Sequence, residues 1–433
     1  MGDMDITKIL SHKSNNLFQS DAWADFQAGL KRKSWVVKGD NIQGLILKYP
    51  LLKQNLFSRI DSRLRSSSLS DEAQTSESND GNDRKGGNDP RTISKSGAGK
   101  GGGDKYYFFS PRGPVITKNV KLQDLKLFLR KVEILAKEEN AVFYRIEPYL
   151  LDQSDIYKFG FRKMAKHAPM SQQFSPENTL VLDVTKPEEK ILAAMKPKWR
   201  YNINLANRKG VKVREGKTLK DIKIFYELTQ EMEKRGGYKG HEYAYYEKMY
   251  ETLGRKNQKG MDSRRSLSAG EIPASAGMTH APLQGAGQAK EGGNDKEGGN
   301  DILKLFIAEY EGPAHHSEVR GKQPLAAILV SYFGQVATYL HGASGDEKRE
   351  LMPTYALQWA AICEAKKRHC LIYDFWGVSP AEDKNHPWAG ISRFKRGFGG
   401  EEVSFGGAYD MAFDAKMYKI LSTVNRFRKI LKK

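Results

Sequence analysis

Two short segments near the carboxyl end of the sequence combine charged, aromatic and glycine residues in a way that suits chemistry. Asp374-Phe-Trp-Gly-Val places an acid and a tryptophan before a glycine, which permits close backbone approach. Arg393-Phe-Lys-Arg-Gly-Phe-Gly-Gly sets three cations among two phenylalanines and three glycines. Such a segment can bind a phosphate while a sugar or base stacks on its rings. The alternative is a glycine-rich hairpin with a solvated charged edge, and spacing alone leaves both interpretations open.

The sequence lacks the motifs of the commoner catalytic chemistries. No serine or cysteine stands in a nucleophile elbow, and no His-Glu-x-x-His motif is present. His315-His316 falls in a loop of glycine, proline and charged residues, which is more typical of a solvated loop than of a metal site. Cys363 and Cys370 cannot form a zinc site by themselves. Neither metal nor nucleophilic catalysis is therefore expected. Transfer from an already activated donor needs only aligned substrates and positive charge beside the developing oxyanion.

The elements that position these segments follow from hydrophobic periodicity. Apolar residues at helical spacing predict a helix over Lys121–Lys137, and Pro353 suits the first turn of another. Gly334-Gln335 is a two-residue turn between two apolar runs. Strands and helices alternate in a pattern that appears twice, which predicts a mixed α/β (α+β) protein. The predicted strands are Gly44–Tyr49, Tyr106–Ser110, Ala141–Ile146, Asn178–Val184, Leu303–Tyr310, Leu325–Phe333, Val336–Leu340 and Leu371–Phe375, with a further helix from Pro187.

Two low-complexity stretches interrupt this pattern. Residues 58–105 and 255–301 are rich in Gly, Ser, Asn, Asp and Lys and poor in apolar residues, so we predict two disordered insertions. The first replaces the turn of a hairpin. Each insertion carries a net charge of +1, so about +17 of the formal +19 belongs to the remaining 338 residues.

This basic balance favours polyanionic partners such as RNA, a pyrophosphate-bearing substrate or an anionic membrane surface. General solubility is the alternative. The last 18 residues hold seven Lys/Arg and no acid, which predicts a basic terminal helix. The sequence shows neither a signal peptide nor a run of 18 apolar residues, so a cytoplasmic protein is expected.

The two segments belong to a longer series of motifs that resembles the Fem family (FemA, FemB, FemX) of peptidoglycan interpeptide-bridge aminoacyltransferases. The matches run in order from about residue 17 to residue 410 and skip both insertions. Each motif is weak alone, but this many in the right order are specific. They are Gln19-Ser-Asp-Ala-Trp, Pro111-Arg-Gly-Pro-Val, Lys198-Trp-Arg-Tyr-Asn-Ile, Tyr339-Leu-His-Gly-Ala-Ser, Leu351-Met-Pro-Thr-Tyr-Ala-Leu-Gln-Trp, Tyr373-Asp-Phe-Trp-Gly-Val, Arg393-Phe-Lys-Arg-Gly-Phe-Gly-Gly and Tyr409-Asp.

The resemblance implies two tandem GNAT-like acyltransferase domains, over residues 1–165 and 166–404. Residues 405–433 are then expected to form a strand and a basic helix that return to the first domain. The chain is more similar to the armless FemX type, because no coiled-coil arm is predicted.

The resemblance also implies an activity. An amino acid passes from aminoacyl-tRNA to the side-chain amine of the stem peptide, in lipid II or UDP-MurNAc-pentapeptide. No cofactor is implied, since the tRNA ester is already activated. A lipid-linked acceptor implies peripheral contact with the inner membrane face.

Site residues are carried over by the same resemblance. Phe394 and Lys395 match the pair at the family's catalytic centre, with Lys395 stabilising the developing charge and Phe394 packing beside it. Otherwise both would be strand-edge residues. Arg235 and Tyr238 fall near residues that contact the precursor's phosphates. Glu147 lies near a family acid, and positioning is its more plausible role because its ordinary pKa lies far below that of the acceptor amine.

Three further residues of the opening segments complete the predicted substrate site, namely Arg393, Asp374 and Trp376. One departure concerns a lysine that some members carry after the first tryptophan motif. Gln27 stands there, and Lys31 or Lys33 is the predicted substitute for its phosphate contact.

Two other functions stay open from the residues. An acyl-CoA-dependent N-acyltransferase of the same fold would need a strand, glycine-rich loop and helix to bind pyrophosphate, and none is found outside the insertions. A non-catalytic RNA-binding protein would fit the charge, but no RNA-binding signature is found.

Overall fold

The computed structural model describes residues 5–51, 104–116, 120–149, 153–170, 174–236, 239–254, 302–310 and 322–430. Nearly all of both predicted insertions, together with His315-His316 and Tyr238, lie outside the described residues. Asp104 and Lys105 are an exception, because the Leu51 amide donates to the Lys105 carbonyl at 3.0 Å. These two residues extend the strand pair that flanks the first insertion.

Helices and strands alternate along the described chain. The helices are α1 (Ile6–Ser11), α2 (Asp21–Gly29), α3 (Leu122–Glu138), α4 (Gln153–Lys158), α5 (Glu188–Ala194), α6 (Pro197–Arg208), α7 (Leu219–Lys234), α8 (Tyr243–Leu253), α9 (Pro353–Lys367), α10 (Ala389–Arg396) and α11 (Ala415–Ile430). Across the ranges given above, no helix is long and apolar enough to cross a lipid bilayer. The strands are β1 (Ser34–Lys38), β2 (Ile42–Pro50), β3 (Tyr106–Ser110), β4 (Val115–Ile116), β5 (Ala141–Ile146), β6 (Arg162–Lys163), β7 (Asn178–Asp183), β8 (Val211–Gly216), β9 (Leu303–Tyr310), β10 (Gln323–Phe333), β11 (Val336–Ser344), β12 (Ile372–Gly377), β13 (Glu401–Ser404) and β14 (Tyr409–Ala412).

In the described part of the chain, these strands form two mixed sheets of seven. The first has the order β1-β2-β3-β5-β14-β6, with β4 paired to β2. The second has the order β13-β7-β12-β11-β10-β9-β8. Each sheet contains a parallel pair, β3 with β5 and β11 with β12, among antiparallel neighbours. The predicted mixed α/β class is confirmed.

Alternating side chains let the first sheet carry a helix on each face. Phe108 of β3 packs toward α3, whose Leu125, Phe128 and Val132 recur at helical spacing. The neighbouring aromatic Tyr107 points to the opposite face, where α11 packs. The predicted pairing of β2 with β3 is present, with Leu47 opposite Phe109.

The second sheet is built on an antiparallel meander of β9, β10 and β11. Phe333 and Val336 pair across Gly334-Gln335, and Gly334 has a φ of 57°, so the predicted two-residue turn is confirmed. Helices α6 and α9 cover one face of this sheet, and α7 and α8 cover the other.

A shared core joins the two halves of the chain. Trp23 and Phe26 of α2, together with Leu45 and Leu47 of β2, pack in one cluster with apolar residues of α7, α8 and β10. The chain crosses between the sheets a second time near its carboxyl end, because β13 pairs with β7 whereas β14 lies between β5 and β6. The two sheets are therefore held by common packing as well as by the covalent chain.

Candidate active site

The predicted acid of the first segment lies where β12 leaves its partner strand. The parallel ladder of β11 and β12 runs from Val336/Ile372 to Thr338/Asp374, and the register with β7 becomes irregular beyond Asp374. The buried Asp374 carboxylate accepts hydrogen bonds from the Thr179 hydroxyl and from the Trp376 amide, the latter at 2.7 Å. Burial raises the pKa of Asp374, whereas these bonds and the nearby Arg112 lower it. Asp374 thus fixes the irregular part of β12 between Asp374 and Gly377.

Lys395 lies against this strand end. Its Nζ donates to the Gly377 carbonyl at 2.7 Å, and only 7% of the residue is exposed. Burial lowers the pKa of Lys395 to about 8, and the Asp374 carboxylate opposes this effect. An ammonium group at this site is weakly solvated, so its field on a bound substrate is stronger than that of a surface lysine.

The segment that carries Lys395 is helical, which corrects both alternatives of the sequence analysis, the glycine-rich hairpin and the strand edge. Arg393 to Arg396 form the last turn of α10, with Lys395 directed inward and Arg393 exposed. The helix ends at Gly397, where a Cβ atom would overlap the indole ring of Trp199. Only glycine permits this close approach, because a larger residue would displace α10 from α6.

Phe394 is part of the hydrophobic core beside the site. Its ring lies edge-on to Tyr355 at 5.1 Å and to Phe398 at 5.2 Å between centroids. Its carbonyl accepts a hydrogen bond from Trp199 Nε1 at 2.8 Å. Consecutive helical residues point about 100° apart, which separates the Phe394 ring from the Lys395 ammonium. The geometry suits a residue that orients α10.

Arg112 brings a second buried cation to this region. It follows β3, has a φ of 50° and is 2% exposed. Its Cζ lies 4.4 Å from the ring centroid of Phe405, 4.8 Å from that of Tyr149 and 5.0 Å from that of Trp376. Its Nε and Nη2 atoms have no hydrogen-bond partner in the part of the chain that the structure describes. A guanidinium held by aromatic faces keeps such donors available for an anion.

Glu147 is the second buried carboxylate of the site. It accepts hydrogen bonds from the Phe174 amide at 3.0 Å and the Ser175 amide at 2.9 Å. Burial raises the pKa of Glu147, and these bonds and Arg112 lower it. Glu147 therefore anchors the segment at 174–175, which is the geometry of a positioning residue. Arg112, Glu147, Asp374 and Lys395 are hereafter the charged cluster.

Arg112 belongs to the motif Pro111-Arg-Gly-Pro-Val, but no role was predicted for it. The stacking on Trp376 and Phe405 is contributed by residues more than 250 positions away in the sequence, so no local signal could have revealed it.

Arg235 lies elsewhere. Its guanidinium donates to the Gly345 carbonyl at 2.8 Å, to the Ser344 carbonyl at 2.7 Å and to the Asp346 carboxylate. These bonds tie the end of α7 to the end of β11. The structure therefore gives Arg235 a structural set of partners and does not bring it into contact with the charged cluster. Trp376 does belong near that cluster, because its ring lies beside Arg112 and its centroid is 5.1 Å from that of Phe18, with the two rings tilted by 34°.

The structure also shows what surrounds Gln27, the residue at which the sequence departs from the resemblance. Gln27 is buried, and its Oε1 accepts a hydrogen bond from Arg32 Nη1 at 2.7 Å. Lys33 is paired with Glu139, and Lys31 occupies a turn with a φ of 59°. The cation that contacts Gln27 is therefore Arg32, and not one of the two predicted substitutes. This contact requires the turn that follows α2, so it could not be predicted from sequence position.

Comparisons with known proteins agree with this architecture. The model of the FemAB family matches residues 102–258 and 308–426. A lipid II:glycine glycyltransferase of Staphylococcus epidermidis is 23% identical over 330 residues, covering 72% of this chain and 78% of that protein. A protein of the same name from Staphylococcus aureus is 23% identical over 338 residues, with the same two coverages.

The crystal structure of FemX shows a similar fold over almost the whole length of both proteins. It superimposes with a TM-score of 0.64 at 15% sequence identity, covering 98% of this chain and 99% of that one. The two segments that the family model matches make up more than half of the chain. The chain belongs to the FemAB family.

Proposed function

We propose that this protein is a tRNA-dependent aminoacyltransferase that adds an amino acid to the stem-peptide amine of a peptidoglycan precursor. The observation that carries the proposal is the buried Lys395 ammonium beside Asp374, where β12 leaves β11. Family membership supports the reaction class, and the names of the staphylococcal relatives support a lipid-linked acceptor. The nucleotide-linked precursor is the second acceptor to be tested.

The proposed reaction needs no cofactor, because the ester of aminoacyl-tRNA is already activated. The acceptor nitrogen attacks the ester carbonyl of aminoacyl-tRNA, a C–N bond forms, and the carbonyl oxygen becomes an oxyanion. Collapse of this intermediate breaks the bond to the ribose oxygen, which leaves with the proton that the amine has lost. Lys395 is the group proposed to stabilise the oxyanion or the departing ribose oxygen. Asp374 and Glu147 position the surrounding backbone, and Arg112 offers its two unpartnered donors to an anionic substrate group.

A direct transfer assay tests this function. The purified chain is incubated with an aminoacyl-tRNA and with either lipid II or UDP-MurNAc-pentapeptide, and the acceptor mass is then measured. We expect the mass of one amino-acid residue to be added, and the tRNA to be released deacylated. Addition from an acyl-CoA and none from any aminoacyl-tRNA would contradict the proposal. Binding of tRNA without any added mass would instead indicate an RNA-binding protein.

The pH dependence of transfer should report the pKa of Lys395. Burial lowers the pKa of this lysine to about 8, so the fraction that carries charge falls as the pH rises through that value. The acceptor amine also loses its proton in this range, which raises the rate, so the effect of Lys395 is measured as the ratio of the wild-type rate to the Lys395→Arg rate at each pH. If the ammonium is required, we expect this ratio of single-turnover rates, corrected for ester hydrolysis, to fall by up to about tenfold per pH unit above 8.

The Lys395→Arg variant is the matched control for this profile, since a guanidinium stays charged throughout the same range. The rate of the variant should keep rising above pH 8 as the acceptor amine loses its proton, even if it is below the wild-type rate at neutral pH. A constant ratio of the two rates across the pH range would show that the charge of Lys395 is not required.

A further inference from the structure

The outer face of α11 combines cations with exposed apolar side chains. Lys416, Lys419, Thr423, Arg426, Phe427 and Ile430 are all exposed, and at 100° per residue they fall within an arc of about 100°. Phe427 is 60% exposed and Ile430 59%. The helix contains no acidic residue over its 16 positions. We call these six residues the outer stripe.

The opposite face of α11 is fixed to the first sheet. Met417, Tyr418 and Leu421 pack on aromatic residues of β3 and β5. The Tyr418 hydroxyl donates to Asp410 at 2.8 Å, and Asn425 Nδ2 donates to the Ala168 carbonyl at 2.8 Å. The helix is therefore held by its inner face, and its core packing does not account for the apolar residues of the outer stripe.

We propose that the outer stripe docks on an anionic lipid surface, with α11 lying in the plane of the interface. Lysine and arginine are attracted to anionic head groups, and Phe427 and Ile430 can enter the boundary with the acyl chains. The apolar residues distinguish this partner from RNA. An isoleucine gains nothing from a phosphate backbone, whereas the bases of single-stranded RNA stack on aromatic rings and on arginine guanidinium planes.

Docking through α11 would also orient the rest of the molecule. Asp410 of β14 binds both Tyr418 and Arg145 of β5, so the helix and the first sheet form one hydrogen-bonded unit. An enzyme that meets a lipid-linked acceptor benefits from a fixed height above the membrane. That purpose rests on the proposed function, but vesicle binding can be measured without any transfer reaction.

The test is co-sedimentation of the full chain with vesicles of phosphatidylglycerol, or of phosphatidylcholine alone. We expect binding to the anionic vesicles only. Phe427→Ser/Ile430→Ser should weaken it at least tenfold. Lys416→Glu/Lys419→Glu/Arg426→Glu should weaken it more than a hundredfold, since each cation contributes about fivefold. All changed side chains are exposed, so thermal unfolding should stay unchanged.

Helix α3 on the opposite face of the sheet supplies matched controls. Lys126→Glu/Arg130→Glu/Lys137→Glu makes the same change in net charge, and Leu122→Ser removes another exposed apolar side chain. Neither control should reduce vesicle binding. Equal losses from the α3 and α11 charge variants would overturn the proposal, as would full binding by Phe427→Ser/Ile430→Ser.

Two further measurements separate this proposal from its alternatives. If the α11 charge variant loses binding to free tRNA and keeps vesicle binding, the outer stripe is an RNA-binding surface and the lipid proposal is wrong. Transfer to a detergent-dispersed acceptor should be the same for wild type and the α11 variants. Absence of transfer by the wild type and by every variant would contradict the proposed function, but the result of the vesicle-binding test would still hold.

Discussion

Replacing Lys395 by methionine is expected to lower the rate of aminoacyl transfer by about 10²–10³-fold. Removal of one preorganised donor from an oxyanion site has an effect of this size. Methionine keeps most of the volume of the buried stem, so the packing of α10 should persist. Because the change removes a desolvated charge, the free energy of unfolding should stay within about 1 kcal/mol of wild type. Single-turnover transfer and denaturant unfolding of the same preparation measure both quantities.

Lys384→Met is the matched control for this substitution. Lys384 is an exposed lysine in the segment that precedes α10, outside the charged cluster. Its loss should leave the transfer rate within about twofold, as expected for a surface charge. The catalytic assignment of Lys395 would be wrong if its methionine variant kept the wild-type rate. A loss of several kcal/mol of stability would instead show that Lys395 serves the fold.

Asp410→Asn is expected to destabilise the protein by about 3–5 kcal/mol. Asp410 receives hydrogen bonds from Arg145 Nε at 2.7 Å and Nη2 at 2.8 Å, and both side chains are almost fully buried. An amide in place of the carboxylate leaves the Arg145 guanidinium as an uncompensated buried charge, which is the costly way to break such a pair. Tyr418 also loses its charged acceptor. Chemical denaturation measures the loss as a lower midpoint with an unchanged slope.

Two variants make the result specific to burial of the ion pair. Glu227→Gln breaks the exposed pair with Lys223 on α7 and should cost less than about 1 kcal/mol. Replacing both buried partners, as Arg145→Met/Asp410→Leu, should cost clearly less than Asp410→Asn alone, because no charge is left unpaired. A small effect of Asp410→Asn, similar to that of Glu227→Gln, would show that water or another group solvates Arg145.

Local sequence patterns were sufficient to predict the features that depend only on neighbouring residues. The apolar periodicity of α3, the aromatic run of β3 and the two-residue turn at Gly334 each depend on neighbours within a few positions. These predictions agree with the structure to within a few residues. The motif series likewise predicted family membership, since its order along the chain is a property of the sequence alone.

Local patterns failed where distant contacts decide. The glycines after Arg396 suggested a hairpin, whereas packing of Trp199 against Gly397 favours a helix at this position. The contact between Gln27 and Arg32 could not be predicted from their positions in the sequence, because it forms only where the chain turns back after α2. The roles predicted for Arg235 and Tyr238 stay predictions, and the contacts of Arg235 alone indicate a structural part.

By itself, the sequence determined the mixed α/β class, the order of the elements and membership of the FemAB family. It also singled out Lys395 as a residue worth testing. Only the tertiary structure decided the electrostatic state of this lysine, because burial beside Gly377 lowers its pKa to about 8 even though the Asp374 carboxylate opposes this effect. The same holds for Arg112, whose stacking partners come from both halves of the chain. Desolvation and long-range charge arise from residues far apart in sequence, and only folding brings them within a few ångströms.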